Sequence, residues 1–238
     1  MSDTAVAVGR HTVQSYDEEI EELTGLIVQM GGVAEKQLAD AVAALVERDV
    51  DLAQQVIDRD RTVDELEEQV DKRVVRLLAT RQPVAIDLRM IAMGLKISND
   101  LERASDYAAG IAKRAIRLAG QPQLKAFVTI PAMAEVCQQM LKDVLDAYVA
   151  RDAEKAMAVW DRDEEVDAFY NSLFRELLTY MIEDPRRTQV CIDLMFCAKN
   201  LERIGDHSTN IAEKIHYIIH GEQINRQRST GKAEDQER

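Results

Sequence analysis

Cysteine, proline, glycine and aromatic side chains are all scarce in this sequence, and each scarcity removes a class of protein. The 238 residues hold 10 glycines, 4 prolines and 5% aromatics, too few for the turn-dense pattern of a β-sandwich or barrel. The 3 cysteines, Cys137, Cys191 and Cys197, are odd in number and form no CxxC pair, so neither a disulfide framework nor a thiolate zinc site is indicated. All three fall in apolar helical patterns, where cysteine packs as a small hydrophobe. Basic charge is short as well: Lys plus Arg number 30 against 43 Asp plus Glu, a net of -13 that matches a nucleic-acid backbone poorly. No stretch comes near the ~18 consecutive apolar residues of a membrane span. The opening MSDTAVAVGRHT has neither the basic head nor the long apolar segment of a signal peptide, so a cytoplasmic location is expected. GxxxxGKS/T, HExxH, GxSxG and Gly-rich nucleotide patterns are missing too, which leaves kinase, peptidase, acyl-transfer and dinucleotide chemistry without residues to rest on.

What the chain does have is helical periodicity. Over residues 17–49, Ile20, Leu23, Ile27, Met30, Ala34, Leu38, Ala41 and Leu45 recur at the three-or-four spacing of a buried stripe. Gly31 and Gly32 interrupt it, and the reading is close approach of a neighbouring helix or a slight bend. A second helix is predicted over 51–80, capped by Asp49 or Asp51 and stopped before Pro83, and a third over 87–118, ended by Gly120, Gln121 and Pro122. Helices over 123–150, 152–182 and 186–220 then repeat the pattern, before a polar end expected to fray.

The repetition is visible residue by residue. A shift of 100 lays LKISNDLERASDYAAGIAK, residues 95–113, over MFCAKNLERIGDHSTNIAE, residues 195–213. A shift of 103 lays Asp58-Arg59-Asp60 and Asp64 over Asp161-Arg162-Asp163 and Asp167. The difference falls in the connection at Gln82-Pro83, where loop length changes cheaply. The expected fold is therefore all-α: two tandem, homologous three-helix bundles with a pseudo-twofold internal repeat, at 15–120 and 122–220, with flexible ends at 1–14 and 221–238. Whether their cores are separate or fused is left open by this pattern.

Carboxylates interrupt the apolar faces at matched points. Ile91, Leu95, Ser98, Glu102, Asp106 and Ala109 share one narrow face of the third helix, as do Cys191, Met195, Ala198, Glu202, Asp206 and Thr209 on the sixth. Asp60 and Asp64 lie with Val56, Val74 and Leu78 on the second helix, and Asp163 and Asp167 with Val159 and Leu177 on the fifth. Acids four apart repel, and their burial is costly unless they protonate, meet bases, reach water or hold a cation. Oxygen-only ligands suit magnesium, manganese, calcium or carboxylate-bound iron. Two other readings stay open: a helical scaffold without metal, its acids solvated or paired with bases, and a carboxylate di-metal oxidase or hydrolase. The second lacks an evident nucleophile or histidine pair.

Other candidates are weaker. Glu213 and His216 have the ExxH spacing of di-iron bundles, but the motif occurs once where two are needed. His207 follows Asp206 and is read as a surface histidine within reach of the rim, as Arg103 and Arg203 are read as rim partners of the acids. Trp160, Phe169, Tyr170 and Phe174 are spaced for helix packing.

In LKISNDLERASDYA and AKNLERIGDHSTNIAE the chain resembles the PhoU family of bacterial phosphate-transport accessory proteins, over about residues 17–220. The resemblance implies two similar all-α bundles whose E/DxxxD motifs hold metal ions, iron or zinc (manganese or magnesium are compatible with the oxygens), in sites that can be multinuclear. Matched residue by residue, it carries the metal role onto Asp60, Asp64, Glu102, Asp106, Asp163, Asp167, Glu202 and Asp206. It also implies a homodimeric cytoplasmic regulator, peripheral to membrane protein partners. Such a protein restrains phosphate uptake and the phosphate regulon by coupling the cytoplasmic components of the phosphate ABC transporter to the membrane sensor histidine kinase. It implies no enzyme activity, no catalytic residue and no nucleic-acid partner. One departure is local: the first copy reads DLERASD where the second reads NLERIGD, so Ser105 stands at the position of Gly205 with both acids intact, and whether the first site behaves like the second is left open by the sequence.

Overall fold

A computed structural model describes residues 3–122, 124 and 129–224, with side chains from Tyr16 onward. Its elements are α1 (Asp3–Glu47), α2 (Val50–Arg81), α3 (Ala85–Leu118), α4 (Thr129–Ala150), α5 (Ala153–Trp160), α6 (Asp163–Glu183) and α7 (Thr188–His220), with a 3-10 turn at Pro185–Arg187. Among the described residues there is no strand. The first helix begins well before its expected start at residue 17, and the expected fraying end beyond residue 224 lies outside the described residues.

The repeat is written into the turns. Asp49 accepts a hydrogen bond from the Leu52 amide and Asp152 from the Lys155 amide, so the same cap opens α2 and α5. Just before each cap, Arg48 and Arg151 take left-handed conformations, φ 62° and 53°, that end α1 and α4. Helices α1, α2 and α3 pack as one unit; α4, α5 with α6, and α7 form the other.

The units are fused. Helices α3 and α7 run antiparallel along the junction: Arg89 Nε donates to the Ile218 carbonyl at 3.0 Å, Asp100 meets His207 at 2.9 Å, Asn200 donates to the Tyr107 carbonyl at 3.2 Å, and Arg117 pairs with Asp193 at 2.5 Å. Helix α1 also lies against α4. Their buried side chains, from Ile20 through Leu101 and Met133 to Ile218, make one continuous core. Gly31 explains part of this fit: a methyl there would come within 2.5 Å of both Cδ atoms of Leu145, while Gly32 faces open space.

The predicted helix over 152–182 is corrected to two. The Arg162 amide bonds back to the Val159 carbonyl and the Glu165 amide to the Arg162 carbonyl, closing α5 and opening α6. The reason lies in Asp163, Glu164 and Glu165, an acidic first turn of the kind a helix N-terminus favours because its unpaired amides carry partial positive charge. The matching residues of α2, Asp60, Arg61 and Thr62, are not a run of acids, and that helix is uninterrupted.

Candidate functional site

In the first unit the four acids lie on α2 and α3, two helices that pack against each other. Asp60 is half-buried, and its Oδ1 lies 2.9 Å from the Ser105 hydroxyl, which is also 2.6 Å from Gln37 Oε1. Gln37 is itself fully buried and donates through Nε2 to the Val56 carbonyl at 3.3 Å. Ser105 has one hydroxyl proton, so it serves Asp60 or Gln37 at any moment. Asp64 is exposed. Asp106 is partnered by Arg103 Nη1 at 3.2 Å.

Glu102 is the most enclosed, its side chain only 16% exposed. Its Oε2 accepts no hydrogen bond, although Arg103 Nε stands 3.4 Å away. Burial pushes the Glu102 carboxyl up to about 7; Asp106, Glu67 and Asp64 push the same way and Arg103 opposes. Asp60 is raised as well, by burial first and by Asp106 and Asp64, against the Ser105 hydrogen bond. Asp64 and Asp106 thus act on both Asp60 and Glu102, and on Glu102 so does Glu67, which the sequence reading missed. Its signal was present: Asp60, Asp64, Glu67 and Asp71 continue one helical face.

The second unit repeats the plan with different surroundings. Asp163 is the first residue of α6, and Asp167 lies one turn on. Glu202 is 15% exposed, and its Oε2 likewise accepts no hydrogen bond but is contacted by the Lys199 ammonium group. Asp206 has Arg203 Nη1 at 3.7 Å. Where Ser105 stands in the first unit, Gly205 leaves room for Val166, whose Cγ1 would be 3.3 Å from an added methyl.

The acids thus occupy the edge of the core rather than its interior. Each unit carries its set on two helices that pack together, α2 with α3 and α6 with α7, but among the described residues no three His, Cys, Asp or Glu side chains converge closely enough to hold a metal ion. The oxygen donors are of the kind a hard cation takes, but Arg103 and Lys199 already stand against the Glu102 and Glu202 Oε2 atoms, and the side-chain placement stops short of a coordination sphere.

The remaining candidates resolve differently. Arg103 and Arg203 are rim partners, as the sequence implied. Glu213 accepts from Trp160 Nε1 at 3.1 Å, and His216 Nδ1 lies 3.3 Å from the Glu222 carbonyl, so each member of the ExxH pair has a partner of its own. His207 is corrected from a surface histidine to a bridge between the units: Asp100, buried at 6% exposure, meets both its Nδ1 and the Lys214 ammonium group, the latter at 2.6 Å. Cys137, Cys191 and Cys197 are buried and free of disulfides. No described helix is long and apolar enough to cross a membrane.

Comparison with known proteins adds a lineage to this geometry. The PhoU domain model matches residues 27–115 and again 130–215. A Caulobacter vibrioides protein named phosphate-specific transport system accessory protein PhoU homolog is 51% identical over 92% of this chain and 95% of its own length. A Rhizobium meliloti protein of the same name is 49% identical over 90% of each chain. The crystal structure of PhoU from Pseudomonas aeruginosa superposes with a TM-score of 0.85 at 40% identity, covering 87% of this chain and 100% of that one. The phosphate transport system regulatory protein PhoU from Streptococcus pneumoniae gives 0.82 at 27% identity, covering 89% and 100%.

Proposed function

The chain belongs to the PhoU family, and on that premise we propose that it is a metal-binding cytoplasmic regulator of phosphate homeostasis that restrains phosphate uptake and the phosphate regulon. It is an accessory protein of phosphate transport and not an enzyme, in keeping with the names its relatives carry. Its partners in this reading are the cytoplasmic components of the phosphate ABC transporter, the membrane sensor histidine kinase and a second copy of itself. Long helices joined through one core give it broad, rigid surfaces for such contacts.

The observation that carries the metal part is the duplicated carboxylate face, with a buried Glu oxygen in each unit that accepts no hydrogen bond. Asp60, Asp64, Glu102 and Asp106 would hold a cation in the first unit, and Asp163, Asp167, Glu202 and Asp206 in the second. A bound iron, zinc, manganese or magnesium ion would supply positive charge that cancels the repulsion within each set. Closing a set needs rotation of rim side chains such as Asp64, which faces solvent.

Isolating the chain from cells grown in high and in low phosphate, with its associated proteins and metals, tests this reading. Recovery of transporter components and the kinase, with metal in the preparation, is the expected result. Metal-free protein with neither partner under both conditions would leave a plain helical scaffold.

A further inference from the structure

Apolar side chains scattered singly over a surface mean little, whereas a contiguous exposed patch marks a contact site. Val75, Leu78, Val84, Ile86, Leu88 and Leu95 are all exposed, Val84 at 73% and Val75 at 66%. They occupy the end of α2, the turn after it and the first half of α3. Across this antiparallel pair Glu67 stands beside Asn99 and Asp60 beside Ser105, a register that sets Leu78 level with Leu88 and Asp71 level with Leu95. Leu88, Ala92 and Leu95, spaced by four and three, share one face of α3. An apolar strip therefore runs along the outside of the pair.

At Leu95 the strip enters a groove of about 510 Å³, with Glu67 and Asp71 on its α2 wall and Lys96, Asp100 and Lys214 on the other. Lys214 is held by Asp100. Glu67 is met by Asn99 at 3.4 Å rather than by a cation, and Asp71 is exposed. The second unit does not repeat this face. Val84, Ile86 and Leu88 give way to Asp184, Arg186 and Thr188, and Asp184 caps its turn and pairs with Arg186 and Arg187. In place of Glu67 and Asp71, 103 places on, stand Tyr170 and Phe174. The first unit forgoes the cap and shows Val84 to solvent.

We propose that this face of the first unit is a docking groove for one amphipathic helix of a partner protein, its apolar side on Val75, Leu78, Leu88 and Leu95 and its Lys or Arg side chains against Glu67 and Asp71. This deepens the partner reading above, on which it rests, by assigning the surface that a transport or kinase component meets. Helices dock in grooves through apolar anchors three and four residues apart. From Leu78 to Glu67 the face spans about 16 Å at ~1.5 Å per residue, the length of three helical turns. Charge then selects the occupant, because a basic edge is drawn to the two carboxylates and steered by them. A second copy of the chain fits worse: two-fold pairing of this face with itself lays one copy's acids on the other's leucines or on its acids.

Surface plasmon resonance of the full-length chain with the purified ATP-binding component of the phosphate transporter, and with the cytoplasmic region of the sensor kinase, tests the inference. The unaltered chain is expected to bind at least one of them. Leu88→Gln and Leu95→Gln, both at exposed positions that leave the core intact, should speed dissociation from that component about tenfold or more. Asp71→Lys should slow association and remove its decline with added salt. Ile182→Ser, an exposed apolar position of the second unit, should change neither rate. Binding indifferent to Leu88→Gln and Leu95→Gln, or weakened equally by Ile182→Ser, would overturn the inference while leaving the partnership intact. Unchanged protein binding with lost binding of Leu88→Gln to phosphatidylglycerol–phosphatidylethanolamine vesicles would overturn it too, giving the strip to a membrane surface. If neither component bound the unaltered chain, the partner reading and this inference would fall together.

Discussion

Glu102 shows what the acidic seam costs a single side chain. Its carboxyl titrates near 7 because burial and then Asp106 disfavour the charge, so the folded protein holds a proton that the unfolded chain releases at about 4.3. The sign follows from proton counting: between those values the native state binds more protons, and stability falls as pH rises through the window. Asp60 acts in the same direction. Metal-free protein is expected to melt at lower temperature at pH 7.5 than at pH 5.5, and Glu102→Gln should flatten that dependence; an unchanged slope in calorimetry would contradict it. Helical periodicity made the pairing of acids four apart on one face legible in the sequence. Their neighbours were harder to read. Gln37 is a polar residue inside an apolar stripe, and Lys199 looks like any solvated lysine until α7 turns it toward Glu202.

Among the elements, α1 and α3 give the sharpest contrasts. Gly31 and Gly32 are adjacent in one helix and opposite in consequence. Gly32 faces open space, so Gly32→Ala should stabilise by about 0.5–1 kcal/mol through lower chain entropy. Gly31→Ala should destabilise by about 1–3 kcal/mol, since its methyl drives into buried Leu145. Chemical denaturation of the two variants reads both. The start of α3 offers a gain: Val84 sits at the N-cap with no side-chain hydrogen bond, where its repeat partner Asp184 accepts from the Arg186 amide. Val84→Asp should add about 0.5–2 kcal/mol, visible as a raised denaturation midpoint. Helix existence and pairing were readable from the stripe spacing. The break before Asp163 was not, because the same stripe runs through α5 and α6 and only the acidic first turn marks a new start.

At the scale of the whole molecule the repeat predicted two bundles and left their relation open; among the side chains that fuse them are Asp100, His207 and Lys214, which differ from their repeat partners Asn200, Tyr107 and Arg114. Asp100 corresponds to Asn200 after the shift of 100, so the junction departs from the repeat where it gains its buried ion pair. Because one core runs through both units, the chain should unfold in a single calorimetric transition, and two resolved transitions would show the units to be independent. Asp100→Asn leaves the largely buried Lys214 without its carboxylate and should lower stability by a few kcal/mol, approaching the ~3–5 kcal/mol of a fully buried broken pair.

The claim on which the functional reading turns is that paired carboxylates on facing helices hold cations. Diffraction from crystals of the full chain grown with Mn2+, collected at the manganese absorption edge, addresses it most directly. Anomalous peaks between α2 and α3 beside Glu102, and between α6 and α7 beside Glu202, are expected, each vanishing in the matching Gln/Asn double variant. Well-ordered carboxylates at both seams with no anomalous signal between them would contradict it.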